Sequence, residues 1–162
     1  MVLFMSRRFE MVMRDQLTMG RLVVHAHGVP KEKAMKRLVE MYGERLRARG
    51  VRIEYHASKQ SADAYVDRLL ALGGSLILLD EAGQQDTSVS FARRFETWQL
   101  SSQDVHLALG PAEGWPDDAR LADATRLSLS NMTFPHELAA GMLVEQLYRA
   151  SEIQRGTGYH KA

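Results

Sequence analysis

The stretch that most restricts how this chain can fold is Ser75–Leu79 (SLILL), whose last four residues are uninterrupted apolar side chains. A strand with no polar face must be covered on both sides, the position of a central strand in a parallel sheet. Its neighbours in sequence alternate in kind. Arg21–Ala26 (RLVVHA) reads as a short strand, and Pro30 is expected to open a helix. Ala34, Leu38, Met41, Tyr42 and Leu46 fall on one face of that helix, and Gly50 ends it. Val51–His56 alternates as a strand. Ser61 can cap a helix through Leu72, with Ala64, Tyr65, Leu69 and Leu72 inward, and Gly73-Gly74 breaks it.

Beyond the apolar run, Asp80–Gly83 reads as a turn. Thr87 or Ser88 can cap a helix to Leu100, and Asp104–Leu109 is a further strand. A loop at Gly110–Gly114, a helix over Pro116–Ala124, a short strand at Arg126–Leu129 and a final helix over Phe134–Ile153 complete the pattern. Strands separated by helices specify an α/β domain, a mainly parallel sheet sandwiched by helices. Ligands of such sheets bind beyond the carboxyl ends of the strands. Three loops sit there: Asp80–Gly83, Gly110–Gly114 and Ser130–Phe134.

Composition narrows the function classes. The chain has no cysteine, which excludes disulfides, cysteine zinc sites and a cysteine nucleophile, and agrees with a cytoplasmic location. No apolar run approaches the roughly 18 residues of a membrane span. Residues 1–19 hold five methionines and too short an apolar stretch for a signal peptide. They read as a disordered N-terminal extension, with one domain over residues 20–162. The net charge is only +1, but Lys31–Arg52 carries eight basic residues against three acidic ones. That segment is either a solvated helix face or a phosphate-facing patch.

Few residue groupings carry chemistry by themselves. Gly110–Gly114 (GPAEG) is neither a dinucleotide fingerprint nor a P-loop; it is a tight turn or a loop allowing close approach to a ligand. His25 and His27 share a strand face, but two ligands do not make a metal site, and no metal is expected. They read as solvated or core-satisfied histidines. On the last helix Glu145, Tyr148 and Arg149 are neighbours in space, as an intrahelical ion pair or a polar patch at a site.

The C-terminal block is more specific. Leu127–Ala162 contains SLSNMTFPH, EQLYRA and RGTGYHK. These elements resemble the ribosomal RNA large-subunit methyltransferase H family of the SPOUT superfamily. Leu79–Gly83 is similar to that family's LDxxG turn and Leu109–Gly114 to its IGGxxG turn, so the resemblance spans about Arg21 to Lys161. It implies a C-terminal trefoil knot, a homodimer and S-adenosyl-L-methionine as methyl donor. The implied reaction is N3-methylation of a pseudouridine in large-subunit (23S) rRNA.

By resemblance, the cofactor contacts fall on Leu79, Gly110 and the run Leu129, Ser130, Asn131, Met132, Thr133 and Phe134. The catalytic candidates are Glu145, Arg149, Tyr159 and His160. Histidine is the residue type that titrates near neutrality, so His160 suits a base, and Arg149 could hold a phosphate or carbonyl. The tail Tyr159-His160 is expected to reach the cofactor of the partner subunit. Two positions depart from the family pattern. Pro111 replaces a glycine and removes a backbone N–H. Ala140 replaces an arginine, which could weaken an RNA or dimer contact. The open alternatives are a non-catalytic SPOUT-fold protein of RNA binding or ribosome assembly, and a related enzyme with another RNA substrate. A flavodoxin-like nucleotide-binding domain fits the α/β pattern but not the C-terminal block.

Overall fold

The computed structural model describes residues 21–161, so the expected extension at residues 1–19 lies outside the described residues. Among the described residues five strands form one parallel sheet: β1 (Leu22–His27), β2 (Val51–His56), β3 (Ser75–Gln85), β4 (Val105–Ala108) and β5 (Thr125–Ser128). Their order across the sheet is β2-β1-β4-β3-β5. Four helices flank it: α1 (Lys33–Arg47), α2 (Ala62–Ala71), α3 (Ser88–Leu100) and α4 (His136–Arg155).

Burial follows the position of each strand. β1 and β4 are interior and buried along nearly their whole length, whereas edge strand β2 is buried only at its two ends. On one face Leu22, Val24, Ile77, Leu107 and Leu127 pack against Phe91 and Phe95 of α3 and Leu143, Val144 and Leu147 of α4. α1 adds Val39 and Leu46 to this layer. On the other face Leu78 and Ala108 pack against Tyr65, Val66 and Leu69 of α2. The expected sandwich of helices around a parallel sheet is therefore the observed architecture. No helix of the described residues is long and apolar enough to cross a membrane.

Capping explains where α2 and α3 begin. The Ser61 hydroxyl accepts from the Ala64 N–H, and Thr87 accepts from the Ser90 N–H. Pro30 does not open α1. The helix starts at Lys33, and the preceding N–H groups of Lys31 and Glu32 donate to the Glu137 carboxylate of α4 instead. A tertiary carboxylate thus sets this helix start, and no local signal marks it. The inward stripes also differ from expectation: Ala34, Met41 and Leu72 are not buried, while Val39 and Val66 are.

Two further expectations are corrected. The segment Pro116–Ala124 forms only a 3-10 turn at Ala119–Leu121. Leu121 is its one buried residue, so no apolar stripe exists to hold a longer helix there. Asp80–Gly83 is not a turn that ends β3. The strand runs on to Gln85, and its register with β5 jumps: Leu79 and Gln84 both pair with Leu127. The intervening residues bulge from the ladder. Gly83 returns the chain against β5 so closely that a Cβ there would lie 2.6 Å from the Arg126 carbonyl carbon and 2.7 Å from the Leu127 nitrogen. Backbone cannot yield as a side chain does, which accounts for glycine at this place.

The α2 face of the sheet also carries a row of imidazoles. His25 Nδ1 lies 2.8 Å from His56 Nε2, and His25 Nε2 lies 2.8 Å from His106 Nδ1. Three adjacent strands supply one histidine each. Burial, then the charges of His106 and His56, lowers the His25 pKa to about 3. Burial lowers those of His56 and His106 as well. His25 is therefore a core-satisfied histidine, as one of the two sequence readings has it. His27 stacks on Tyr65 and contacts the Gln60 carbonyl from Nε2 at 2.7 Å.

Candidate functional site

The bulge of β3 and the carboxyl ends of β4 and β5 surround a cleft of about 820 Å³. Its size suits a cofactor-sized ligand. The three strand-end loops singled out in the sequence all reach it. Leu79, Gly110, Leu129, Ser130, Met132, Thr133 and Phe134 line the cleft. Asn131 does not line it and is exposed. It occupies the outer side of a tight turn in which the Ser130 hydroxyl accepts from the Met132 N–H. Pro111 is buried and lines the cleft, so the missing N–H falls at the site itself.

The bulge in β3 gives the cleft an acidic wall. Asp80 and Glu81 both line it. Asp80 pairs with Arg126 of β5 and accepts from the Ala82 N–H. Glu81 accepts from the Thr133 hydroxyl at 2.5 Å, tying the bulge to the Ser130–Phe134 loop. Trp115, also in the wall, donates its indole N–H to the Leu79 carbonyl at 2.8 Å. The sequence reading had none of Asp80, Glu81 and Trp115 as contacts. Asp80 and Glu81 lay within a loop already singled out, but Trp115 carried no signal.

A second constellation forms where the tail folds back on α4. The helix ends at Gly156, and Thr157 then bonds the Glu152 carboxylate at 2.5 Å. Arg49 of the basic segment holds the same carboxylate at 3.2 Å. The tail is thereby returned along the helix. Arg149 donates to Glu145 at 2.6 Å and to His160 Nδ1 at 3.2 Å. Tyr159 donates its hydroxyl proton to Glu145 at 3.0 Å, so Tyr42 of α1, 2.9 Å away, is the donor to Tyr159. All four catalytic candidates thus meet in one cluster. Tyr42 joins them, although the sequence showed it only as an inward-facing helix position.

The electrostatics of this cluster are those of a donor array. Arginine has no acceptor, so His160 Nδ1 accepts, and neutral His160 carries its proton on Nε2. Burial first, with the bond its hydroxyl donates to the Glu145 carboxylate, pushes the Tyr159 pKa up, which keeps the phenol protonated. The bond to Glu145 raises the Arg149 pKa above its already high value. His160 Nδ1 is thus engaged by Arg149, and Nε2 is the ring nitrogen left to meet another partner.

The cleft and the tail cluster are separate within the chain. None of Glu145, Arg149, Tyr159 and His160 lines the cleft. Ala140 is 5% exposed, on the face of α4 that packs into the core. The basic segment is exposed at Lys31, Lys33, Arg37 and Arg52. Its Arg45 instead lies over the rings of Tyr42 and Tyr148, at 5.4 and 5.2 Å from their centroids. Among the described residues no group of three or more His, Asp or Glu side chains is arranged to hold a metal ion.

Comparison with known proteins agrees with this layout. The family model described as "Predicted SPOUT methyltransferase" matches residues 21–160. The chain is similar to proteins named ribosomal RNA large subunit methyltransferase H. With that of Hyphomonas neptunium it shares 44% identity, over 65% of this chain and 71% of the relative. With that of Nitrosomonas eutropha the identity is 36%, over 85% and 86%. With that of an Anaeromyxobacter species it is 39%, over 87% of this chain and 99% of the relative. A strand-end cleft fed by three loops, a tail folded onto the last helix and a match over nearly all described residues lead to one assignment: the chain belongs to the SPOUT methyltransferase family.

Proposed function

We propose that the chain transfers a methyl group from S-adenosyl-L-methionine to N3 of a pseudouridine in large-subunit rRNA. The proposed unit is a homodimer in the cytoplasm, with the cleft of one protomer facing the tail cluster of its partner. One observation carries the reading: three loops far apart in sequence, at Leu79, Gly110 and Leu129–Phe134, wall a single cleft. The match to relatives named for rRNA methylation supports the substrate class. The separation of cleft and cluster within one protomer supports a site shared between two.

The cleft's surfaces fit the donor. Leu129, Met132 and Phe134 offer apolar contact, backbone groups at Leu79 and Gly110 offer hydrogen bonds, and Glu81 offers charge complementary to a cation, Asp80 being paired with Arg126. S-adenosylmethionine supplies a sulfonium-activated methyl, so alignment of the acceptor nitrogen is the protein's main contribution. The C–S bond breaks as the N3–C bond forms, and the N3 proton leaves to solvent. Negative charge on the imide before or during transfer is stabilised by donors in place beforehand. His160 Nε2–H and the Arg149 guanidinium are such donors; Glu145 and Tyr159 hold them in position.

Titration calorimetry tests the cofactor reading. The full chain is expected to bind S-adenosylmethionine with a Kd on the order of micromolar to tens of micromolar. Absence of binding heat at millimolar ligand contradicts it.

A further inference from the structure

Trp115 lies outside every motif that singled out the cleft, yet its side chain is built into the wall from three directions. Its N–H donates to the Leu79 carbonyl at 2.8 Å. Its ring stacks on Tyr65, with centroids 5.8 Å apart and planes 8° from parallel. Gly110 packs so closely on the indole that a Cβ would stand 3.2 Å from Nε1 and 3.4 Å from Cε2. Tyr65 is fully buried and donates its hydroxyl to the Leu109 carbonyl at 2.8 Å. The two stacked aromatics therefore each tie down one carbonyl, one where β3 begins its bulge and one just past the end of β4, beside the cleft. Tyr65 is itself braced by His27, stacked at 5.0 Å, and by the edge of His56 at 5.1 Å.

A backbone carbonyl has two acceptor directions. With one taken by the indole N–H, the Leu79 oxygen keeps a single direction for any other donor. We propose that Trp115 is a positioning and specificity residue of the cofactor cleft: by fixing the Leu79 carbonyl it presents one oriented acceptor to the exocyclic amino group of a 6-aminopurine. This rests on the cofactor reading above. It assigns Trp115 a share in selecting the base beyond its part in packing.

The test uses the full chain and two ligands, S-adenosylhomocysteine and S-inosylhomocysteine. The second replaces the amino group with an oxygen that cannot donate. The wild type is expected to favour the adenosyl compound by about tenfold or more, the worth of one oriented hydrogen bond. Trp115→Phe keeps the stack on Tyr65 and loses the N–H. It is expected to bring the ratio to about twofold or less. Tyr65→Phe leaves the indole bond in place and is expected to keep the wild-type ratio. A merely structural role would lower the melting temperature of W115F and leave the ratio alone, and that result overturns the proposal. If the wild type binds neither compound, the cofactor reading fails; if it binds both but W115F discriminates as before, only the role of Trp115 fails. Should W115F not fold, Trp98→Phe leaves Trp115 as the one tryptophan in the chain. S-adenosylhomocysteine must then change its emission, and an unchanged spectrum at saturation overturns the proposal.

Discussion

Replacing Arg149 with alanine is expected to lower the methyl-transfer kcat by about 100- to 1,000-fold, the usual cost of removing a donor placed to meet developing negative charge. The affinity for S-adenosylmethionine should fall far less than the rate, because the loops that wall the cleft do not include Arg149 and the donor is proposed to meet charge that develops only during transfer. The size of the effect follows from how many groups the guanidinium organises. It donates to Glu145 at 2.6 Å and His160 at 3.2 Å, and lies 5.0 Å from the centroid of the Tyr159 ring. Without it the Glu145 carboxylate keeps its negative charge close to where the imide becomes anionic, and His160 loses the partner that sets its tautomer. Lysine at the same position restores a charge but cannot span Glu145 and His160 together, so R149K should recover only a small part of the rate. Single-turnover transfer to ribosomes lacking the modification measures this. A variant that retains kcat and instead raises KM for the ribosome would show Arg149 to be an RNA-binding residue.

A second large effect is expected on stability as pH falls. The His25 pKa lies near 3 in the folded protein, against about 6.5 in an unfolded chain. Between those values the unfolded state binds a proton that the folded state refuses, so acid favours unfolding. The stabilising contribution is complete above about pH 6.5 and is lost as pH falls toward the folded value. His25 alone then costs up to about 1.4 kcal/mol per pH unit. His56 and His106 act in the same direction. The carboxylates of Glu54 and Asp104 and the guanidinium groups of Arg52 and Arg68 face this row, with opposing effects on it. Melting temperatures at pH 7.5 and 5.0 should differ by several degrees, roughly the shift that 1–2 kcal/mol gives in a domain of this size. His25→Gln should flatten that dependence. Equal melting temperatures at the two pH values would contradict the buried, neutral state of the row.

Local patterns carried the layers of the fold. The apolar run at Ser75–Leu79, the alternation at Val51–His56 and the caps at Ser61 and Thr87 all reappear in the sheet and helices. What escaped them depends on partners distant in the chain. Asp80–Gln85 has no strand-like apolar pattern, and it stays in the sheet because β5 pairs with it beyond a bulge. Glu137 sets the start of α1 from more than a hundred residues away. The three core histidines look unrelated at positions 25, 56 and 106, and only the strand order joins them.

The site divides in the same way. The loops that wall the cleft were legible from strand ends and motif together, with Asn131 the one residue of that set that does not line it. Glu145 and Arg149 were legible as neighbours one helical turn apart. Their meeting with Tyr159 and His160 needed the resemblance, because nothing local says that the tail reverses onto α4. Tyr42 stands 117 residues from Tyr159, and its inward position on α1 gave no hint of the hydroxyl contact. The hydrogen-bond pattern needed coordinates outright: nothing in the tail's sequence says that Arg149 meets Nδ1 of His160.

The most direct measurement is transfer of tritiated methyl from S-adenosylmethionine to ribosomes that lack the modification, followed by mapping of the labelled nucleotide. The proposed function predicts one labelled pseudouridine, methylated at N3, in the large-subunit rRNA, with label lost when Arg149 is replaced by alanine. Unlabelled rRNA after complete incubation, or label on a different nucleotide or RNA, would contradict it.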